Sequence, residues 1–182
     1  MPTTEEKTIQ NWYALRIFKN RLGEFKTKIE SDGYQTFRAM TIVDRIENGQ
    51  ITYKKVPLIP SLLFVKTTYE YINRLRLDNF GLIFVYCSRP DNKPQPIDDA
   101  QMEQFMFVTT PLGNVKITYL PDGDVQYKKG DPVRVVAGLY KGTTGVVRRI
   151  KKDRKLLVAI EGLAVVAISN IPLEYLQKID SK

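Results

Sequence analysis

Apolar residues recur along this chain at two different spacings, and the change from one to the other divides it. Residues 12–18, Trp-Tyr-Ala-Leu-Arg-Ile-Phe, are rich in β-formers between polar neighbours and predict a strand. Leu22, Phe25 and Ile29 then fall at helical spacing, with Asn20 as the expected cap and Gly33 as the expected stop. Residues 34–43 and 51–56 predict strands joined by Asn48-Gly49, a pair that accepts the positive φ of a tight hairpin turn. Pro57 and Pro60 bracket a break before the short apolar strand Leu62-Leu63-Phe64-Val65. A second helix is expected over 68–79, with Ile72 and Leu75 inward and Thr67 and Glu70 spaced as a capping box. Ile83–Cys87 predicts another buried strand. A proline-rich turn, Pro90 to Pro96, leads to a third helix with Met102, Phe105 and Met106 on its apolar face.

The helical spacing ends near Pro111. Residues 111–127 hold Pro111, Gly113, Pro121 and Gly123 and read as a connector, with a short extended piece at 115–119. Beyond Lys128 the pattern is of short strands only: 133–136, 144–150, 156–160 and 165–168, separated by glycines and charged turns. About five short strands in about fifty residues predict a small closed barrel. The expected layout is α+β over 10–110, an antiparallel sheet with flanking helices, then a linker at 111–127 and an all-β barrel over 128–180.

Charge separates the same parts. Residues 1–126 carry 16 basic and 15 acidic side chains, and residues 127–182 carry 12 and 5. A basic lobe beside a neutral one suggests two modules with different partners, and attraction to phosphate is the functional reading of the basic one. The chain has no His and a single Cys, Cys87. That excludes His-based triads, His-ligated metals, Cys-rich zinc sites and an intrachain disulfide. Asp98-Asp99 and Asp122/Asp124 pair carboxylates without a His or a glycine-rich phosphate cradle, so they read as cap and turn residues. Cys87 reads as a small core residue. The expectation is a non-enzyme without metal or cofactor. A polar start and the lack of any apolar run near the roughly 18 residues a membrane helix needs predict a soluble, cytoplasmic protein with no membrane contact.

The most specific stretch runs from Lys129 through Gly130-Asp131-Pro132-Val133-Arg134-Val135-Val136-Ala137-Gly138-Leu139-Tyr140-Lys141-Gly142-Thr143-Thr144-Gly145 to Val147. It is a strand, a glycine-bracketed loop and a second strand. Gly138, Gly142 and Gly145 stand where the chain must reverse or approach another backbone. The stretch resembles a KOW motif. Three landmarks precede it in order: Trp12-Tyr13, the segment Pro57-Leu58-Ile59-Pro60-Ser61-Leu62-Leu63-Phe64-Val65, and Arg89-Pro90 through Pro96-Ile97-Asp98-Asp99. Together they resemble the NusG family of transcription elongation and antitermination factors, over about 10–180.

That resemblance implies RNA polymerase as partner, gripped at its clamp helices by Trp12, Tyr13, Leu58, Ile59, Pro60, Ser61 and Leu62. Taken alone, Leu58, Ile59 and Leu62 also read as core, and strand alternation turns only one of Trp12 and Tyr13 inward. The resemblance further places Lys19, Asn20 and Arg21 against the displaced non-template DNA strand; by residue type alone they read as a capped helix start. Arg148, Arg149, Lys151 and Lys152 form a charged turn that is either solvated or tracks phosphate. Ser61-Leu62 stands where housekeeping members carry Gly-Tyr. Glu161-Gly162-Leu163-Ala164 stands where they carry a Phe-Gly pair that contacts Rho and a small-subunit ribosomal protein. Losing that aromatic weakens the case for Rho and makes the chain look like specialised paralogues of the RfaH and UpxY kind. Nascent RNA and the ribosome stay open as partners of the barrel, and an RNA- or ribosome-binding KOW protein without polymerase contact is the alternative.

Overall fold

The computed structural model describes residues 9–18, 20–88, 91–110, 117–120, 130–150 and 153–180. In chain order the elements are β1 (Asn11–Ile17), α1 (Leu22–Ser31), β2 (Gln35–Phe37), β3 (Met40–Glu47), β4 (Gln50–Pro57), β5 (Leu62–Thr67), α2 (Tyr69–Asp78), β6 (Ile83–Val85) and α3 (Asp99–Thr109). They continue with β7 (Ile117–Leu120), β8 (Asp131–Val135), β9 (Thr144–Ile150), β10 (Asp153–Ile160), β11 (Ala164–Ser169), a 3-10 turn (Leu173–Tyr175) and β12 (Leu176–Lys178). These elements group into two compact units. One takes the described residues up to Arg38 together with Pro60–Asp99; the other takes Ala39–Ile59 and the described residues from Ala100 on. The hairpin and nearly all of α3, which the sequence reading assigns to the first domain, therefore group with the C-terminal strands.

The first unit is built on a four-stranded sheet in the order β2-β5-β1-β6. β1 lies antiparallel to β5, with Tyr13 opposite Val65 and Leu15 opposite Leu63, and antiparallel to β6. Alternation sends Tyr13, Leu15 and Ile17 to one face. There they pack with Leu22, Phe25 and Ile29 of α1 and with Tyr71, Ile72 and Leu75 of α2. Truncating such a fully buried residue, Leu15→Ala for example, costs about 2–5 kcal/mol.

The helix ends follow local chemistry, with two corrections to the sequence reading. Asn20 is not the cap of α1. Arg21 holds that position without a side-chain bond. The backbone N–H groups of Arg21 and Leu22 donate instead to the carbonyl of Phe18, at 2.9 and 3.1 Å. Gly33 does end the helix, at φ 87°. On α2 the cap is Thr68 rather than Thr67, its hydroxyl accepting from Tyr71 N at 3.2 Å. Thr67 is instead fully buried.

In the second unit β3 and β4 form an isolated hairpin paired from Met40–Pro57 to Glu47–Gln50. Asn48 and Gly49 take φ of 53° and 77°, as a primed turn requires. The C-terminal strands form a six-stranded sheet in the order β12-β8-β9-β10-β11-β7. The piece expected at 115–119 is β7, which joins this sheet through β11. No β12–β7 pairing closes the sheet among the described residues. Gly138 and Gly142, at φ 79° and 93°, turn the loop between β8 and β9. On α3, Gln104 faces Thr144 at the start of β9. Its Nε2 donates to the Thr144 carbonyl at 2.8 Å, and its Oε1 accepts from Thr144 N at 2.9 Å.

Gly145 lies in β9 beside β10, and a Cβ there would strike the Leu157 carbonyl oxygen and, at 3.0 Å, Leu156 Cδ1. Both obstacles belong to a paired strand, so Gly145→Ala is expected to cost about 1–3 kcal/mol. A fall in melting temperature checks it; an unchanged value refutes the close approach.

A second expectation concerns acid. Tyr71 Oη donates to Asp32 Oδ2 at 2.6 Å. That bond, followed by the ion pair with Lys28, holds the Asp32 carboxyl below its ordinary value. A depressed carboxyl contributes stability above its unfolded pKa and loses it as pH falls through the folded one. Tyr71→Phe should therefore flatten the acid limb of the stability–pH curve, measured by urea unfolding from pH 6 down to about pH 2.

Candidate functional site

The segment entering β5 is anchored by its backbone. Leu58 N donates to the Ala39 carbonyl at 2.9 Å, and Ser61 O accepts from Ile17 N at 2.9 Å. Arg38 Nη2 donates to the Pro60 carbonyl at 2.9 Å. These bonds hold the main chain and leave the side chains to divide by position. Leu58 and Ser61 are half-buried and Pro60 is exposed, whereas Ile59 and Leu62 are only 9% and 4% accessible. Of the residues implied for polymerase, then, Leu58, Pro60 and Ser61 offer surface, and Ile59 and Leu62 are core.

Trp12 and Tyr13 correct the alternation argument. Both are 2% exposed. Tyr13 belongs to the helix-covered core. Trp12, on the opposite face, is bridged to Ile97, whose N–H donates to the Trp12 carbonyl at 2.8 Å. Lys66 Nζ lies 5.9 Å from its ring centroid.

Among the residues implied for nucleic acid, Lys19, Lys151 and Lys152 lie outside the described residues, as do Asp122 and Asp124. Asn20 is exposed. Arg21 is committed locally: its guanidinium makes a two-pronged contact with Glu24, at 2.5 and 2.8 Å, and lies 5.6 Å from the Phe25 ring centroid. The bond from Arg21 pulls the Glu24 carboxyl below its ordinary value. Arg148 and Arg149 end β9 opposite Lys155 and Arg154.

Sequence reading missed an aromatic surface on the β1–β6 side of the first unit. Phe84 is exposed, although it stands between two apolar neighbours in a strand expected to be buried. It faces Arg16 in register and meets Phe18 edge-on, with centroids 6.3 Å apart. Arg16, Phe84, Tyr86, Ser88 and Asn92 line a cleft of about 540 Å³. Phe80, nearby in a second cleft, is 90% exposed. Cys87 is half-buried at the cleft rather than in the core. Its Sγ accepts from Arg76 Nη1 at 3.1 Å. The signal was available in β1, where Arg16 and Phe18 share the parity opposite to the core residues.

Among the described residues no group of three or more His, Cys, Asp or Glu could hold a metal ion. No helix among them is long and apolar enough to cross a membrane. What the fold offers is surface: apolar and aromatic on an α+β unit, cationic on a sheet of short strands. That is the make-up of a two-part binding protein.

The family model described as transcription termination factor nusG matches residues 10–106, more than half of the chain. The chain belongs to the NusG family, with a KOW-like C-terminal region. The family is one of non-enzymatic transcription factors and implies RNA polymerase as partner. The chain is also 46% identical over 39 residues to large ribosomal subunit protein uL24 of Spiroplasma citri. That match takes in 21% of this chain and 66% of the ribosomal protein. A solved structure titled "Domain interaction in Thermotoga maritima NusG" aligns over 94% of this chain and 98% of its own, at 19% identity and a TM-score of 0.48.

Burial separates the two readings of the segment before β5. Leu62→Asp places a charge in the core and is expected to unfold the protein, while Leu58→Asp should keep the native circular dichroism. A native spectrum for Leu62→Asp would mean that this side chain is surface.

Proposed function

We propose that this chain is an elongation or antitermination factor that binds the clamp helices of RNA polymerase through its N-terminal part, residues 10–110. It would reduce pausing or termination by binding the closed clamp more tightly than the open one, since a ligand shifts an equilibrium only by its differential affinity. The observation that carries the reading is the family match over 10–106. Within it, Leu58, Pro60 and Ser61 offer accessible side chains on a backbone held by three hydrogen bonds. Accessible apolar side chains such as those of Leu58 and Pro60 suit contact with a helix. The exposed Phe18, Phe80 and Phe84, with Arg16, extend the surface on which Lys19, Asn20 and Arg21 would meet the non-template strand.

The reading goes further, to a specialised factor of the RfaH and UpxY kind acting on particular operons in the cytoplasm. Its support is the turn between β10 and β11. Glu161 and Gly162 are exposed there, Leu163 is buried, and no aromatic is presented to Rho or the ribosome. Residues 128–180, drawn as a KOW-type barrel after a linker at 111–127, would recruit a second partner. The alternative, a ribosome- or RNA-binding protein without polymerase contact, draws on the similarity to uL24.

The test is binding of the full chain to purified RNA polymerase and to a clamp-helix fragment. Both should bind, and affinity for the fragment should change little with salt, because buried apolar area is not screened. Leu58→Asp should weaken both. Co-sedimentation with ribosomes and no affinity for polymerase or fragment would transfer the conclusion to the alternative.

A further inference from the structure

The β3–β4 hairpin is apolar on one side along a stretch where both sides meet water. Its base is tied down, with Thr41 Oγ1 donating to the Ile117 carbonyl at 3.1 Å. From Asp44 to Lys55 every residue is exposed except the half-buried Thr52. The register sets Ile46 opposite Ile51, Asp44 opposite Tyr53 and Ile42 opposite Lys55. Directly opposed residues share a face, and successive ones alternate between faces. One face of the ribbon therefore carries Ile42, Asp44, Ile46, Ile51, Tyr53 and Lys55. The other, from Asp44 on, carries Arg45, Glu47, Gln50, Thr52 and Lys54.

Ile46, Ile51 and Tyr53 are 79%, 65% and 61% exposed. Apolar and polar positions that alternate in this way are the mark of a ribbon with one covered face. Among the described residues, β3 and β4 pair only with each other, and a two-stranded ribbon on its own is marginal in water. Charge narrows what can cover it. The face holds one acid and one base, Asp44 and Lys55, so it offers no net cation to a phosphate backbone or an anionic lipid surface. Asp44 and Tyr53 stand opposite one another, and among the described residues neither side chain makes a hydrogen bond or ion pair. A fitting cover is apolar at the tip and supplies a donor to Asp44 and an acceptor to Tyr53. The same face supplies all three.

We propose that a second copy of this chain covers it, the two ribbons stacked face to face about a two-fold axis along their length. That axis sets β3 of one copy over β4 of the other and keeps the rows aligned. Ile46 then meets the second copy's Ile51, and the Asp44 carboxylate accepts from the second copy's Tyr53 hydroxyl. Both contacts repeat with the roles exchanged, as an isologous interface requires. Lys55 lays its stem on the half-buried Ile42 and keeps its ammonium in water. Three large side chains per copy fall short of the roughly 1,200 Å² of a stable interface, so the association is weak and concentration-dependent. It rests neither on the surface around Leu58 nor on polymerase contact.

The experiment is analytical ultracentrifugation of the full chain from micromolar to millimolar concentration. The weight-average mass should rise toward twice that of the chain. Ile46→Glu and Ile51→Lys should each weaken self-association by about tenfold or more, because each sets an unpaired charge against an isoleucine. Both positions are exposed and lie outside the residues placed against polymerase, so circular dichroism and binding to the clamp-helix fragment should stay as in the wild type. Mixed together, the two variants should recover the dimer. The new carboxylate then meets the new ammonium in one half of the interface, while isoleucine meets isoleucine in the other. A wild-type chain that stays monomeric throughout overturns the proposal, and so does a dimer that either single variant leaves intact. An unfolded Ile46→Glu protein would place that side chain in the core and overturn it too. A mixture that stays monomeric overturns the two-fold arrangement. Loss of affinity for polymerase or duplex DNA in Ile46→Glu, with a monomeric wild type, would assign the face to that partner instead.

Discussion

The antiparallel pairing of β1 between β5 and β6 is the constraint on which the first unit depends. Tyr13, Leu15 and Ile17 must face the helices, and this puts Trp12, Ala14, Arg16 and Phe18 on the other side. A slip of one residue would exchange the two sets and leave Arg16 in the core. The exposed aromatic surface is thus a by-product of the core register. Arg16 and Phe84 face one another because Leu15 meets Val85 and Ile17 meets Ile83. The segment before β5 obeys the same rule, since Ile17 N reaches back to the Ser61 carbonyl. The residues implied for polymerase are therefore positioned by the strand that organises the core.

The C-terminal sheet answers to a different constraint. At Gly145, β9 lies too near the β10 backbone for a Cβ. Val146 and Val147 still pair with both β8 and β10, and from Arg148 on β9 pairs with β10 alone among the described residues. Ile150 there packs against the cluster of Leu157, Val165 and Ala167, while Arg149 and Arg154 are exposed. Arg149 stands directly opposite Arg154, a like-charged arrangement that opposes pairing by a few tenths of a kcal/mol or more.

Much of this was legible in the sequence because the signals are local. Asn48-Gly49 set the hairpin turn, Gly33 stopped α1, and the glycines of the KOW-like stretch marked the loop between β8 and β9. What failed depended on tertiary context. Alternation assigns Trp12 and Tyr13 to opposite faces but cannot say that both faces are covered. Phe84 reads as core from its neighbours, yet its parity sends it to the open side. Thr67 reads as the cap from its spacing to Glu70, but the strand before it claims Thr67 and leaves the role to Thr68. Asn20 lost its role because the turn at Phe18 satisfies the same N–H groups. Strand count suggested a closed barrel; count alone does not determine whether the first and last strands meet.

The site residues divide in the same way. Residue type marked Leu58, Ile59 and Leu62 as apolar, and only burial separated the accessible Leu58 from the other two. That separation bears on how the proposed contacts would work together. A few accessible apolar side chains and a basic C-terminal part would each bind weakly alone. Joined in one chain, the second contact becomes intramolecular once the first is made, and overall affinity can exceed either by 10²–10⁴ without a new interaction. The two contacts also respond to different conditions, since salt weakens the cationic one and leaves the apolar one. The near-neutral residues 1–126 and the basic residues 127–182 would suit that division, the proposed polymerase contact resting on apolar area and the proposed phosphate contact on charge.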